Sequence, residues 1–475
     1  MSGISAALGR LLGRTTSIEP HETRSVVTAF LLFFCVLGGY FAVRPVRETV
    51  GTILGSDRVS DLYVVTWIVS LLIVPVYGWA CTRFRRSAFL PWIYAVVAAS
   101  LVVVGLMLAA DEQNTAVAQF FYVWISVLNL FIVSVFWSFL LELFNVAQTQ
   151  RLFGVIAAGG TTGALIGPLM TDLVVPLVGN TGVLFMGAGF FVVAILCQRA
   201  LLGIWATVPA AGGGERAPER PMGGNPFAGF TLVLRSPYLL GISLFVILLA
   251  SVNTFLYFEQ LRLVSETFTD TAQRTQVFAR LDYIVQSLTI VLQLFITGRL
   301  ASRLGVTALL TLVPLVMVAG FLGLAVMNTF WVLAVVFVAR RVGEYAFIRP
   351  GREMLFSRVD TESKYKAKNL IDVPVYRGGD ALSAQVKTAL EAGGLASAGV
   401  ALLGAVLAAL WALGGCAPEA LERVTLSGVE PALPSSFRVG TAAQASIAAA
   451  GLAAAELWRL RSGSAQNVAV DLRDA

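Results

Sequence analysis

Apolar stretches of about 20 residues, separated by short polar turns, recur along most of the chain, each long enough as an α-helix to cross roughly 30 Å of hydrocarbon. The pattern predicts spans at 25–43, 61–81, 88–109, 117–143, 154–176 and 181–203. A second set follows at 237–258, 275–298, 305–327, 329–348, 369–392 and 395–414. Between the sets, AGGGERAPERPMGGNP is too rich in Gly and Pro to continue a helix and reads as a linker. The expected organisation is an N-terminal arm (1–24), a six-helix bundle (25–203), a cytoplasmic central linker (204–236), a second six-helix bundle (237–414) and a tail (415–475). Within the tail, the Ala-rich stretch 441–458 fits an interfacial helix, a further span or a loosely packed appendage. The fold class is therefore read as an all-α integral membrane protein of about twelve transmembrane helices.

Composition agrees with that pattern. Of 475 residues, 57% are hydrophobic and 13% charged, about half the charged share of a soluble domain, near 25%. The four cysteines (Cys35, Cys81, Cys197, Cys416) are widely spaced, without a CxxC pair, and read as packing residues. The single histidine, His21, stands on the polar arm, which leaves no basis for histidine metal sites, a Ser-His-Asp triad or a histidine proton relay. No catalytic residue, metal site or cofactor is expected. The net charge of +6 comes from basic residues scattered over short loops, so orientation in the lipid bilayer explains it and nucleic acid is not an expected partner. With both termini in the cytoplasm, the inner loops hold Arg83, Arg85, Arg86, Arg151, Arg299, Arg303, Lys364, Lys366 and Lys368, among others, and satisfy the positive-inside rule. The arm runs into span 1 without a small-residue cleavage site, so span 1 is expected to remain as an anchor.

Three features recur at an offset of about 212 to 220 residues, the spacing of duplicated halves. GWACTRFRRS from Gly78 matches GRLASRLG from Gly298, and both are expected to be short cytoplasmic turns. FNVAQTQR from Phe144 matches FSRVDTESK from Phe356, and Gly159-Gly160 matches Gly378-Gly379. The Gly298 segment is similar to the G-x-x-x-D-R-x-G-R-R loop signature of the major facilitator superfamily, without its Asp. Two parallel pseudo-repeats of six spans fit alternating access around a midplane site.

Ionisable groups inside spans cost at least about 2.5–3.5 kcal/mol each, so function is sought where they occur. Span 1 carries Arg44, Arg47 and Glu48 on one helical face, with Pro45 between the arginines expected to bend the helix. Two guanidinium forks there suit bidentate capture of phosphate or carboxylate. Glu142 stands near the end of span 4, Glu259 and Arg262 close span 7, and Asp282 and Gln286 share a face of span 8. Arg340, Arg341 and Glu344 interrupt span 10, with Arg340 and Glu344 four apart. Span 11 holds Asp372, Arg377, Asp380 and a break at Pro374. The expected substrate-binding residues are Arg44, Arg47, Arg340 and Arg377, and the charge-balancing or gating residues are Glu48, Glu142, Asp282, Glu344, Asp372 and Asp380. Gly159, Gly160, Gly163 and Gly167 in span 5 have the small-x-x-small spacing of close helix packing rather than of a phosphate loop.

RPGREMLFSRVDTESKYKAKNLIDVPVYRGGDAL, residues 349–382, resembles a segment of the ATP/ADP translocase (Tlc, or plastid-type NTT) family of nucleotide transporters. That segment reads Asp-Pro-Thr-Lys-Glu-Met, an acidic stretch, Lys-x-Lys-x-Lys, Ile-Asp-Val-Val and a Gly-Gly pair. FWSFLLELFNVAQTQRLFGVIAAGGTTG from Phe136 and RPVRETVG from Arg44 look like two further segments of the family. The resemblance implies twelve spans, a bacterial inner-membrane location and nucleotide exchange or uptake, with Arg47, Glu142, Glu344 and Arg377 nearest its functional charges. Arg352 stands where the family has Lys, Asp380 follows the glycines where Ser is commoner, and residues 416–475 lie outside the resemblance. No Walker A pattern occurs, which argues against a pump with its own motor. The expected function is secondary transport of a nucleotide or related phosphorylated anion. The alternatives are a proton-coupled carrier of another organic anion or small molecule, and a non-transporting membrane scaffold or sensor.

Overall fold

The computed structural model describes residues 19, 21–83, 86–111, 114–144, 146–207, 228–327, 329–356, 367–368, 370–393, 424–427, 448, 452, 455 and 466–471. Helices dominate them: α1 (Thr23–Leu54), α2 (Ser56–Arg83), α3 (Arg86–Ala110), α4 (Thr115–Leu143) and a stretch Val146–Thr207 that a kink at Gly179 divides into α5 and α6. They continue with α7 (Ala228–Arg235), α8 (Pro237–Thr267), α9 (Thr271–Leu292), α10 (Gly298–Val326), α11 (Phe330–Gly343), α12 (Arg349–Leu355) and α13 (Tyr376–Gly393). π-helical turns at Gln293–Thr297, Glu344–Ile348 and Ile371–Val375 join α9 to α10, join α11 to α12 and lead into α13. Six helical stretches among the described residues are long and apolar enough to cross a membrane: Thr23–Leu54, Leu90–Ala110, Thr115–Leu143, Arg151–Trp205, Pro237–Thr267 and Thr271–Arg303. The predicted spans from 25–43 to 369–392 lie on helical backbone apart from a few end residues, while 395–414 and most of the linker and tail lie outside the described residues.

Local chemistry sets the breaks. Gly55 (φ +81°) ends α1 and Gly179 (φ +66°) separates α5 from α6, a backbone region that L side chains avoid and glycine enters freely. The Asn114 side chain accepts the Val117 N–H at 3.1 Å and caps α4. α1 is helical on both sides of Pro45. One expectation needs correction. The turn expected after Gly298 is helical, since Arg-Leu-Ala-Ser-Arg-Leu are helix formers and Gly298 keeps helical angles. At Pro374 the expected break is present as the third π-turn.

The chain forms two compact units, one of Met1–Gly224 with Val264–Ser287, the other of Asn225–Leu263 with Leu288–Ala475. In the first, α5 lies against α1 at backbone distance. A methyl on Gly159, Gly163 or Gly167 would meet the carbonyl oxygen of Phe30, Phe34 or Gly38. Lipid tails are as apolar as leucine, so helices associate in a membrane by close packing and interhelical hydrogen bonds rather than by the hydrophobic effect. Thr171 supplies such a bond, donating to the Ala42 carbonyl at 2.8 Å. Aromatic rings fill the α1–α4 contact, with Phe33 stacked on Phe136 at 4.1 Å. The second unit repeats the device: a methyl on Gly379 of α13 would sit 3.1 Å from Ala250 Cβ and 3.3 Å from Ile247 Cα of α8. Its core joins Leu239, Ile242 and Val246 of α8 to Phe356, Ala367 and Ile371.

In the tail, β1 (Val424–Ser427) pairs in parallel with β2 (Val468–Asp471), Val424 opposite Val468. A parallel pair requires a crossover, and between the strands Ala448, Leu452 and Ala455 are helical and buried while Gln466 and Asn467, just before β2, are exposed.

Candidate functional site

The last turns of α1 place Arg44, Arg47 and Glu48 together. Glu48, 4% exposed, accepts Arg47 Nη2 at 2.6 Å and lies 3.4 Å from Arg44 Nε. Arg44 also reaches Asp282 of α9 at 3.3 Å, and Asp282 is itself 3% exposed. Arg47 Nη1 donates to the Ser126 hydroxyl at 2.9 Å, and its guanidinium lies 5.1 Å over the Tyr122 ring. Two cations thus meet two carboxylates inside an apolar unit, and the group is neutral. Such a network is sensitive to the loss of one member, because an uncompensated buried charge costs about 3–5 kcal/mol.

Beyond it, a ladder of polar contacts ties α9 to α1 and to the α5–α6 pair. The Thr49 and Thr275 hydroxyls share a bond of 2.6 Å, and Thr275 donates to Asn180 at 2.7 Å. Arg274 donates to Thr52 at 3.0 Å, and Arg280 pairs with Asp172 at 2.9 Å. Before α1, Glu22 accepts Gln148 and Arg151, each at 3.0 Å, and the Glu19 backbone N–H at 3.1 Å. Burial pushes the Glu22 carboxyl up, but these donors outweigh it and hold the group below its ordinary value.

The second unit holds several smaller groups. Arg340 pairs with Glu344 at 3.0 Å, as their i,i+4 spacing predicts, and Arg349 approaches the same carboxylate at 3.9 Å. Arg341 donates to the Tyr345 hydroxyl at 3.4 Å, and Arg349 lies 4.5 Å over the Tyr345 ring. Asp380 accepts Thr254 at 3.0 Å and faces Arg377 at 3.7 Å. Asp372 pairs with Arg352 at 3.0 Å. Glu259 and Arg262 form the ion pair that their spacing indicates.

Among the residues singled out in the sequence, then, Arg44, Arg47, Glu48 and Asp282 come together in one group. Arg340 joins Glu344, Arg377 joins Asp380, and Asp372 takes a partner from outside the set. Glu142 is exposed near the end of α4 and stands outside these groups. Sequence reasoning passed over Asp172, although a carboxylate in an apolar span carries the same insertion cost as the others. It also passed over Ser126, Tyr122 and Tyr345, which look like ordinary span residues until a guanidinium is placed beside them. Glu19, His21 and Glu22 bring possible metal-ligand atoms within 4.8 Å, but Glu22 is already engaged by Arg151 and Gln148, an arrangement that suits a guanidinium rather than a metal ion.

No protein-family profile matches the chain. It is 22% identical to ADP,ATP carrier protein 1 of Chlamydia trachomatis serovar D, over 78% of this chain and 83% of that protein. It is equally similar, at 22%, to ADP,ATP carrier protein 1 of Chlamydia muridarum, over 78% of this chain and 82% of that one. Among solved structures, the nucleoside transporter NupG superposes with a TM-score of 0.57 at 15% identity, over 78% of this chain and 90% of NupG. An auto-inhibited POT family peptide transporter gives 0.55 at 14% identity, over 95% and 100%. A bacterial homologue of the iron transporter ferroportin in an inward-facing state gives 0.54 at 13%, over 76% and 91%. The two ADP,ATP carriers support the likeness to ATP/ADP translocases read from the sequence, and the all-α fold is the one shared with these solved transporters.

Proposed function

We propose that the protein is a secondary transporter that moves a nucleotide or a related phosphorylated anion by alternating access, in exchange for another. The observation that carries this reading is the set of arginines embedded in apolar helices, each held by a carboxylate: Arg44 and Arg47 by Glu48 and Asp282, Arg340 by Glu344, Arg377 by Asp380. A guanidinium repels cations and offers paired N–H donors to phosphate oxygens. An incoming phosphate competes with the carboxylate for the same fork, so substrate can enter and leave without stranding a buried charge. In this reading Arg44, Arg47, Arg340 and Arg377 take substrate charge, Glu48, Asp282, Glu344 and Asp380 hold those arginines when no substrate is bound, Asp372 balances charge beside Arg352, and Glu142 balances charge at the end of its helix. The similarity to ADP,ATP carriers supports the choice of anion. The proposed setting is a bacterial inner membrane with both termini in the cytoplasm and two six-helix bundles, 25–203 and 237–414, joined by the 204–236 linker.

The test is uptake of labelled ATP and ADP by proteoliposomes containing the purified protein, with and without nucleotide inside. Uptake that requires internal nucleotide is expected, and Arg377→Ala and Glu344→Gln should each reduce it strongly. Normal uptake by both variants would overturn the assignment of roles. Absence of uptake in the unaltered protein would remove nucleotide as the substrate.

A further inference from the structure

The stretch from Arg340 to Arg349 carries three arginines and one glutamate, an excess of positive charge that the first unit's paired network lacks. Its geometry departs from an α-helix. Glu344 and Arg349 are five apart, and on an α-helix they would point about 140° away from each other. The π-turn at Glu344–Ile348, whose hydrogen bonds close over five residues, brings them to 3.9 Å. The turn is braced from the π-turn that follows α9: Gln293 Nε2 donates to the Tyr345 carbonyl at 3.1 Å, and the Thr297 hydroxyl to the Ala346 carbonyl at 3.0 Å. Both donors belong to the neighbouring π-turn, so two irregular turns satisfy each other and fix this one in place.

What the turn displays is a tyrosine between two guanidinium groups, with Arg349 at 4.5 Å and Arg341 at 5.7 Å from the Tyr345 ring centre. Arg340 and Arg341 are buried at 7% and 3% exposure, whereas the Arg349 side chain is 58% exposed. The Arg340 Nε is buried with no hydrogen-bond partner among the described residues. Like charges gathered in a low-dielectric setting repel one another strongly, so an anion that enters among three guanidinium groups is stabilised there.

We propose that Arg340, Arg341 and Arg349, arranged around Tyr345 on this π-turn, form the subsite for the oligophosphate group of the substrate. This rests on the transport reading above and assigns Arg341, Arg349 and Tyr345, which that reading leaves without a role. The ligand class is a chain of two or three phosphates, because three guanidinium forks stand within one short stretch and each takes two oxygens. Glu344 is the internal competitor: it holds Arg340 and Arg349 when no phosphate is bound and lets go when one arrives. The Gln293 and Thr297 side chains act through the backbone as positioning residues.

The experiment is calorimetric titration of inorganic triphosphate into the purified full-length protein in detergent, with adenosine titrated in parallel. The unaltered protein should bind triphosphate, and Arg341→Gln and Arg349→Gln should each weaken it at least about tenfold, the loss expected for a charged hydrogen-bonding fork. Adenosine affinity should be unchanged. Glu344→Gln should tighten triphosphate binding, an effect of opposite sign that a misfolded variant cannot mimic. Unchanged triphosphate affinity in both arginine variants, or weaker binding in Glu344→Gln, overturns the subsite. Nucleotide exchange is scored separately. Triphosphate binding with the expected pattern but no exchange would sustain the subsite and refute nucleotide transport, and exchange with unaffected arginine variants would do the reverse.

Discussion

Gly163→Ala tests the close approach of α5 to α1 with an internal control on the same helix. The added methyl would run into the Phe34 carbonyl oxygen and stand 2.8 Å from the Gly38 nitrogen, both backbone atoms that cannot rotate aside. The helices must part by several tenths of an ångström, and forced overpacking costs roughly 1–3 kcal/mol. Alanine is also a better helix former than glycine by about 0.8–1 kcal/mol, which offsets part of that cost. Gly154, near the start of α5, has nothing within 4 Å of the same methyl, so Gly154→Ala keeps the propensity gain without the overlap. The difference between the two variants therefore isolates the overlap, about 1–3 kcal/mol. At about 2–4 °C per kcal/mol for a unit of this size, Gly163→Ala should melt several degrees below Gly154→Ala. The assay is thermal unfolding of the purified protein in detergent, read as the fraction remaining monodisperse after heating. Melting points within a degree of each other would refute backbone contact as the reason for the glycines.

Glu48→Gln leaves Arg44 and Arg47 around a neutral amide and should destabilise the first unit by about 3–5 kcal/mol. Asp282→Asn should cost less in the same melting assay, because Arg44 retains Glu48. Thr171→Val removes the bond to the Ala42 carbonyl and should cost only about 0.6 kcal/mol, the average for interhelical hydrogen bonds in membranes. A loss above about 2 kcal/mol would show that the threonine does more than that single bond. Glu22 has a folded pKa below its ordinary value of 4.5, so its contribution to stability is complete above pH 4.5 and is lost as pH falls through the lower folded value. Melting curves between pH 6 and pH 3 should therefore show an acid-dependent loss that Glu22→Gln removes, and an unchanged pH profile in the variant would contradict the assignment.

Much of this protein is legible along the chain because lipid imposes a one-dimensional rule. A segment must be apolar for some twenty residues and must satisfy its own backbone, so spans, breaks and fold class can be read directly. Local geometry extends that reach: Arg44 with Glu48, Arg340 with Glu344 and Glu259 with Arg262 are neighbours by helical spacing alone. The span 5 glycines announce a packing face, and the partner proves to be α1. The remaining pairings depend on register between helices distant in sequence. Nothing in the chain's order says that Arg44 meets Asp282, that Thr254 donates to Asp380 or that Arg352 takes Asp372. The π-turn at Glu344–Ile348 is likewise invisible in the sequence, because its displaced carbonyls take Gln293 and Thr297 from a turn about fifty residues away. Sequence sets which charges are forced into the membrane, since insertion cost is a property of each helix. Which charges neutralise one another is decided by tertiary packing, because Coulomb energy depends on distances that exist only once the helices have packed together.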